Sequence, residues 1–510
     1  MTAATPPIEW GKEPADLEDA FPPAVATIDD TLAGRLAATG AEVRVDAAAR
    51  AEASRDWWPL AQRWSLVGRA PARPAAVVRP KTAAQTAAVV RVAAEAGIPV
   101  TATAGRSGVC GGAVPVFGGI ALDCCGLTGV TEIDDESLRV TVAAGEFGSD
   151  LEDRVRTAGL TIGHFPQSMA LATVGGWIAC RGAGQYSTRY GKIEDIVAGL
   201  EVVLADGRIV RTGALAGAGP RSAMGPDLTQ LFVGSEGTLG IVTAASLRAH
   251  PLAGHESRSA FAFPTFAAGL EALRRTLRRG ATPAVLRLYD ERESGRSFDL
   301  PGTNVLVALD EGHEPIVEAA MSVLADCCQD EGATRLDEGL VARWLEHRND
   351  VSALASLTRG GIVVDTIEVA ASWSALPELY ADATSGLAQV EGCLNASAHE
   401  SHAYLDGACL YFTFAGRGED PADERWALRF YEESWKRVME ATRRHGGSIS
   451  HHHGIGIVRG PFLREALGEG WSVLRALKSA LDPAGILNPG KLGLPSPFGD
   501  APSVSGARLA

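Results

Sequence analysis

Between Gly163 and Asp195 the sequence reads GHFPQSMALATVGGWIACRGAGQYSTRYGKIED, thirty-three residues with six glycines, few long aliphatic side chains and many hydroxyl, amide and ring groups. That composition suits the wall of a binding site. Glycines let backbone N–H groups approach a flat or phosphorylated ligand, because no Cβ stands in the way. Thr173-Val-Gly-Gly-Trp177 reads as the opening of a helix, whose first N–H groups are unpaired and face an anion or an electron-rich ring edge. The plain alternative is a long Gly-rich surface loop. Two further segments share the character: Ala104-Gly-Arg-Ser-Gly-Val-Cys-Gly-Gly112 and Gly234-Ser-Glu-Gly-Thr-Leu-Gly240. The first follows a strand pattern, where backbone amides cradle a pyrophosphate. It is not G-x-G-x-x-G, no periodic helix follows, and no acidic residue stands where a ribose contact belongs, so a nicotinamide site is disfavoured. His451-His-His453 is open to two readings on its own, a metal site or a solvated polar turn. Adjacent side chains do not all point one way, and no Cys or carboxylate follows at ligand spacing.

The elements that must position these segments are legible in the periodicity. Thr82-Ala-Ala-Gln85 is a capping box that starts an Ala/Val-rich helix running to Ala96, and Gly97 stops it. With strands over 76–79 and 99–103 this makes an α/β unit that delivers the loop at 104–112. Gly119–Asp123 and Leu138–Ala144 read as strands, and Ser149-Asp-Leu-Glu152 as the cap of a helix ending at Gly159. Ile196–Leu204, the turn Ala205-Asp-Gly207 and Arg208–Thr212 form a hairpin. Asp227–Phe232 is a short helix, and Ile241–Ala249 a strand. Past His250-Pro251, strands alternate with charged helices, which predicts an antiparallel sheet with helices on one face. The division expected is an N-terminal helical arm over 1–70, a mixed α/β domain over 71–250, a second domain over 255–445, a segment over 446–495 that folds back on the first domain, and a disordered tail over 496–510.

The 510 residues allow two to four domains. With 46% hydrophobic and 21% charged residues, the composition is that of a soluble globular protein. A formal charge of -15 without a basic run excludes a polyanion partner such as nucleic acid. Eight cysteines without a C-x-x-C fit neither a disulfide framework nor a zinc ribbon and imply reduced thiols, hence a cytoplasmic location. No window reaches eighteen consecutive apolar residues, so any lipid substrate is expected to be met peripherally, at a membrane surface.

Taken together and in this order, the segments resemble the FAD-binding fold of the vanillyl-alcohol oxidase/p-cresol methylhydroxylase flavoproteins over roughly residues 70–495. The match lies in Thr103–Val109, Pro166–Thr173 with Gly175-Gly176, Cys180–Ala183, Tyr190–Asp195, Glu236–Val242 and Asn488-Pro-Gly-Lys491. The resemblance implies an α+β fold, with a two-subdomain PCMH-type FAD-binding domain and an antiparallel-sheet cap, and noncovalently bound FAD. Its cofactor contacts would come from Thr103, Ala104, Gly105, Arg106, Ser107, Gly108 and Val109. A second set is His164, Pro166, Gln167, Ser168, Thr173, Gly175, Gly176, Arg181, Gly182 and Ala183. A third is Glu236, Gly237, Thr238, Gly240, Ile241 and Val242.

Within the superfamily the FAD-dependent D-2-hydroxy acid dehydrogenases carry a metal held by a His pair in a motif like G-D-G-N-L-H and a Glu from E-H-G. Here the segment is His402-Ala-Tyr-Leu-Asp-Gly-Ala-Cys-Leu-Tyr411, and the E-H-G position is His452-His453-Gly454, so two of the three ligands are changed and no metal is expected. Asp406-Gly-Ala-Cys-Leu-Tyr-Phe412 and Ser450-His-His-His-Gly-Ile-Gly456 look like the tyrosine and triple-histidine motifs of alkyldihydroxyacetonephosphate synthases. The loop Gly105–Gly112 departs from that branch, with Arg106 and extra glycine, and is partly similar to the hydroxy-acid branch. The synthase resemblance implies exchange of the acyl group of an acyl-dihydroxyacetone phosphate for a fatty alcohol through a flavin N5 adduct, in ether lipid synthesis. Tyr411 would be the acid/base, with His451, His452 and His453 beside it; protonated imidazoles at His452 and His453 would favour a phenolate. Arg348, then Arg287, would hold the phosphate. A homodimer is implied by the same resemblance. The alternative is an FAD-dependent oxidase or dehydrogenase of a D-2-hydroxy acid or another alcohol.

Overall fold

Four short strands make the first sheet in the computed structural model, which describes residues 9–21, 26–350 and 352–507. They are β1 (Glu42–Arg44), β2 (Ala76–Arg79), β3 (Val100–Thr103) and β4 (Ile120–Asp123), in the spatial order β1-β2-β4-β3. The last three run parallel, and β1 closes the edge antiparallel to β2. Helix α1 (Ala83–Ala96) joins β2 to β3. Thr82 Oγ1 accepts the Gln85 N–H at 3.1 Å, the Gln85 amide takes the Lys81 N–H at 2.7 Å, and Gly97 ends the helix at φ +62°. The segment 1–70 expected to be helical thus also supplies a strand. It packs on the main body: Trp58 and Trp64 are fully buried against Phe21, and Trp58 Nε1 donates to Tyr431 OH at 2.8 Å.

The second sheet is antiparallel throughout, with β5 (Val130–Asp134), β6 (Arg139–Ala143), β7 (Val197–Val203), β8 (Ile209–Arg211) and β9 (Ile241–Arg248) in the order β8-β7-β9-β6-β5. Alternation places Val140, Val142, Leu200, Val202 and Leu247 on one face, where helix α2 (Val174–Cys180) lays Val174, Trp177 and Ile178 on them. The helix expected from Ser149 starts at Gly148 with no side-chain cap. A Cβ on Gly148 would come within 2.3 Å of the Trp177 ring, so close packing overrides the capping pattern here.

The third sheet has seven strands, every pair antiparallel: β10 (His255–Phe263), β11 (Val285–Tyr289), β12 (Asn304–Gly312), β13 (Thr334–Leu336), β14 (Val363–Ser372), β15 (Cys393–Ala403) and β16 (Gly407–Gly416). Their spatial order is β13-β10-β12-β11-β15-β16-β14. One face is covered by α3 (Phe266–Arg278), α4 (Glu314–Asp330), α5 (Leu376–Ala388) and α6 (Glu424–Arg444), through a core that includes Leu288, Leu306, Ile367, Leu410 and Phe412. The opposite face carries Tyr289, Val305 and Val307 against Tyr186, Tyr190 and Trp344. The sheet is thus a cap whose inner face looks toward the segment 163–195.

After α6 the chain returns. Val100 N–H donates to Ile486 O at 2.8 Å, Asn488 Nδ2 to the carbonyls of Gly112 at 3.1 Å and Glu236 at 2.6 Å, and Lys491 Nζ to Val114 O at 2.7 Å. The tail over 496–510, expected to be disordered, is described to residue 507. Phe498 packs at a tilt against Phe117, 6.0 Å between ring centroids, and Val504–Gly506 forms a short turn of helix, since two apolar side chains give it something to bury; 508–510 lie outside the described residues. No helix among the described residues is long and apolar enough to cross a membrane.

Candidate functional site

Strand β3 ends in the loop Thr103–Val109. Gly105 admits no side chain, because a Cβ there would lie 1.7 Å from Leu171 O. Arg106 sits at φ +54° and sends its guanidinium outward to Glu52 at 2.9 Å. Its charge is thus spent on Glu52, and only its backbone is left to line the loop. The N–H groups of Arg106, Ser107 and Gly108 meet no acceptor among the described residues, and Thr103 Oγ1 is buried without a partner. The loop is braced from behind by Trp57 N–H, which donates to Gly108 O at 2.7 Å.

In the glycine-rich stretch Thr173 caps α2, its Oγ1 accepting the Gly176 N–H at 3.3 Å, and Gly175 packs so that a Cβ would meet Ala144 at 2.9 Å. His164 is fully buried under Trp177 at 4.5 Å between ring centroids; both its nitrogens and Trp177 Nε1 lack partners among the described residues. Burial pushes the His164 ring down to about 3, so it is neutral. Arg181 turns away to Glu194 at 3.2 Å, Gly182 and Ala183 continue the wall, Pro166 and Ser168 are half-buried, and Gln167 is exposed. The third glycine segment serves the frame more than the cavity. Glu236 takes the N–H groups of Ile455 and Gly456, Thr238 O accepts from Lys478 Nζ at 2.8 Å, Gly237 turns at φ +73°, and Gly240 meets Val202 where β9 begins with Ile241 and Val242.

Buried polar atoms are costly unless something bonds them. Thr103 Oγ1, both His164 nitrogens, Trp177 Nε1 and Asn488 Oδ1 stand along these loops without partners among the described residues. With the open N–H groups of the first loop they fit a ligand rich in phosphate and amide groups, as FAD is.

The cap contributes a single transverse row. Tyr289 pairs with His399, His399 with Tyr411, and Tyr411 with Glu368, across β11, β15, β16 and β14. Directly opposed residues share a sheet face, so register brings together positions that are far apart in the chain. Tyr289 stacks on His399 at 5.1 Å, and His399 on Tyr411 at 4.9 Å. Tyr411 then faces His452 at 6.1 Å and His453 at 5.5 Å, and Thr366 Oγ1 donates to its OH at 3.0 Å. Arg287 and Arg348 both lie over the Trp344 ring, at 5.7 and 5.4 Å, and Arg348 also donates to Gln185 Oε1 at 3.0 Å. The two arginines and the tyrosine named from the sequence are thereby gathered on the inner face.

The histidine turn is held by carboxylates. Glu368, fully buried, accepts the N–H groups of His451 and, at 2.8 Å, His453, and meets Arg459 at 3.0 Å, itself fully buried. His451 Nδ1 and His452 Nδ1 are 2.9 Å apart, and Lys192 Nζ donates to His451 O at 2.6 Å. Burial pushes His451 down to about 3, His453 to about 4 and His452 well below the ordinary imidazole range, and it raises the Tyr411 phenol above its own. The expected imidazolium–phenolate arrangement is therefore replaced by neutral rings beside a protonated phenol, because desolvation outweighs the neighbouring charges. His402, His451 and His452 each offer a nitrogen, all within 4.8 Å of one another. The Lys192 ammonium beside them disfavours a cation there.

Three residues that matter here were given no catalytic or binding role from the sequence: Glu368, Arg459 and His399. Alternation in Val-Val-Asp-Thr-Ile-Glu-Val places Thr366 and Glu368 on one face, a signal that was available. Nothing in the sequence gave the register that sets His399 beside Tyr411.

Two family models match the chain: the FAD binding domain over residues 74–213 and the C-terminal domain of FAD linked oxidases over 254–492. The FAD-linked oxidoreductase YgcU of Escherichia coli is 31% identical over 78% of this chain and 83% of its own. Alkyldihydroxyacetonephosphate synthase of Trypanosoma brucei brucei is 30% identical over 89% of this chain and 79% of its own, and glycolate oxidase subunit GlcD of Bacillus subtilis 30% over 82% and 89%. A solved structure of alkyldihydroxyacetonephosphate synthase superposes with a TM-score of 0.75 at 24% identity, covering 93% of this chain and 88% of the other. FAD is the cofactor. The glycine-rich loops, and the cap whose inner face gathers a phenol and two guanidinium groups, are thus matched along the sequence, and the chain belongs to the FAD-linked oxidases.

Proposed function

We propose that this flavoenzyme exchanges the acyl group of an acyl-dihydroxyacetone phosphate for a fatty alcohol, an ether-forming reaction without net oxidation. The observation that carries the reading is the inner face of the cap, where Tyr411 stands one ring away from Arg287, and Arg348 shares Trp344 with it. Two guanidinium groups suit a phosphate dianion. The protonated phenol of Tyr411 suits delivery of a proton to a departing carboxylate, and the adding alcohol gives its own proton back to that phenolate, directly or relayed through the neutral His452 and His453 beside it. Bound FAD supplies an electron sink. Tyr411 is half-buried between the His399 ring and the histidine turn, which limits the water that competes with the alcohol. The synthase relatives support the assignment. FAD is held noncovalently in this reading, and a membrane surface supplies the apolar substrate.

A second reading, oxidation of a D-2-hydroxy acid, is favoured by one observation: Arg287 and Arg348 equally suit a carboxylate, and the glycolate oxidase subunit is as similar in sequence as the synthase. Anaerobic mixing separates the two. Under the exchange reading, acyl-dihydroxyacetone phosphate bleaches the flavin with release of fatty acid, and fatty alcohol restores the colour without an electron acceptor. Bleaching by D-2-hydroxy acids alone, with recovery only on adding an acceptor, would reject it.

A further inference from the structure

We propose that His399, fixed by Glu293, is a positioning residue that decides which edge of the Arg287 guanidinium is offered to an anionic substrate; the proposal rests on the reading that Arg287 meets the anion. Arginine is a donor only and stays protonated. The atom it meets at 2.7 Å, His399 Nε2, must therefore present a lone pair. The neutral ring then carries its proton on Nδ1, and that nitrogen lies 2.7 Å from Glu293 Oε2. Glu293 is 3% exposed side chain, is fixed in turn by Ser397 Oγ at 3.1 Å, and meets Arg296 at 3.3 Å. Which nitrogen holds the proton is set by the partner on the far side of the ring.

The consequence lies in the guanidinium. Its Nε donates to Tyr289 OH at 3.2 Å and one Nη2 hydrogen is spent on His399. The side edge, Nε with Nη2, is thus occupied by protein, and the end carrying Nη1 and the second Nη2 hydrogen is left for an oxyanion, which takes such a fork in a bidentate pair. Arg348, over the same Trp344, adds the second charge. The same His399 ring stacks on Tyr411 at 4.9 Å, so the anion site and the phenol share one support. The chemistry selected is an oxyanion met end-on, a phosphate monoester or a carboxylate.

The test uses FAD-loaded enzyme titrated with dihydroxyacetone phosphate and, separately, with D-lactate, following flavin absorbance; the tighter probe identifies the source of the anion. Arg287→Ala is the reference variant. His399→Leu is expected to weaken that probe by about tenfold or more with flavin content unchanged, as expected for loss of a charged hydrogen bond. His399→Gln is expected to stay within about threefold, because an amide carries the same acceptor for Arg287 and donor for Glu293. Full affinity in His399→Leu alongside a weakened Arg287→Ala would overturn the proposal and leave the anion site standing. Full affinity in Arg287→Ala would instead remove the anion site itself. Should His399→Leu lose its flavin, His399→Gln decides alone: near wild-type affinity upholds the tautomer lock, and affinity as low as that of Arg287→Ala overturns it.

Discussion

Replacing Glu368 by glutamine changes one oxygen into an amide and leaves Arg459 as a buried cation with half its partner. In the folded protein the two charges lie 3.0 Å apart, both side chains fully buried, and the same carboxylate takes backbone N–H groups of His451 and His453. Breaking such a pair by removing one partner costs about 3–5 kcal/mol, because the remaining charge stays desolvated. The glutamine oxygen keeps one acceptor position, so the lower part of that range is expected, with the loss felt first in the turn 450–456. Chemical denaturation gives the total, and amide hydrogen exchange of peptides covering the turn locates it. The pH dependence has a definite sign. Burial alone would raise the Glu368 carboxyl, but Arg459 and the histidine turn outweigh it and hold it below its ordinary value. A group lowered on folding stabilises the protein fully above its unfolded value, about 4.3 for Glu, and the contribution is lost as pH falls from there through the folded value. Glu368→Gln should therefore flatten the acid limb of the stability curve. A variant less than about 1 kcal/mol below wild type, with unchanged exchange in the turn, would refute the view that this pair holds the histidine turn.

Tyr411→Phe should bind FAD normally and lose roughly 10²-fold or more in turnover, as expected for a general acid–base group; full turnover by steady-state assay would remove Tyr411 from the chemistry. Arg348→Ala should raise KM for the phosphorylated substrate by about tenfold while kcat changes less, and an unchanged KM would displace the phosphate site. Gly105→Ala places a Cβ where 1.7 Å separates it from Leu171 O, so the purified protein should be depleted of flavin by absorbance ratio, with the cap's helices intact by circular dichroism. Acid precipitation should leave the yellow colour in the supernatant; colour retained in the pellet would mean a covalent flavin.

The local grammar of the first domain was open to reading because it is written in short range. A helix cap at Thr82, a stop at Gly97 and a hairpin turn at Asp206-Gly207 each depend on residues within a few positions, and each is found in place, with the Gln85 side chain reaching Lys81 N–H in place of Thr82 N–H. The glycine segments could be seen for the same reason, since Gly105 and Gly175 mark close backbone approaches. What stayed hidden depends on register and desolvation. Tyr289, His399, Tyr411 and Glu368 become neighbours only through strand pairing, which no local pattern encodes. The expected protonation of the histidines followed from what a phenolate at Tyr411 would need, whereas burial decides it. Glu236, expected as a cofactor contact, spends its carboxylate on the N–H groups of Ile455 and Gly456, a long-range pairing with no local signal.

The strap formed by Ile486–Lys491 bears on the order of events during synthesis. Asn488 and Lys491 reach the carbonyls of Gly112 and Val114 across 376 and 377 residues of chain. Chains emerge from the ribosome N-terminus first, and a domain folds as soon as its parts are available. The loop Thr103–Val109, the proposed phosphate cradle, is made more than 370 residues before the residues that tie down its flank. Flavin capture in finished form is consequently a late step, postponed until the strap has left the exit tunnel, and a ribosome-stalled chain ending before residue 486 should emerge colourless.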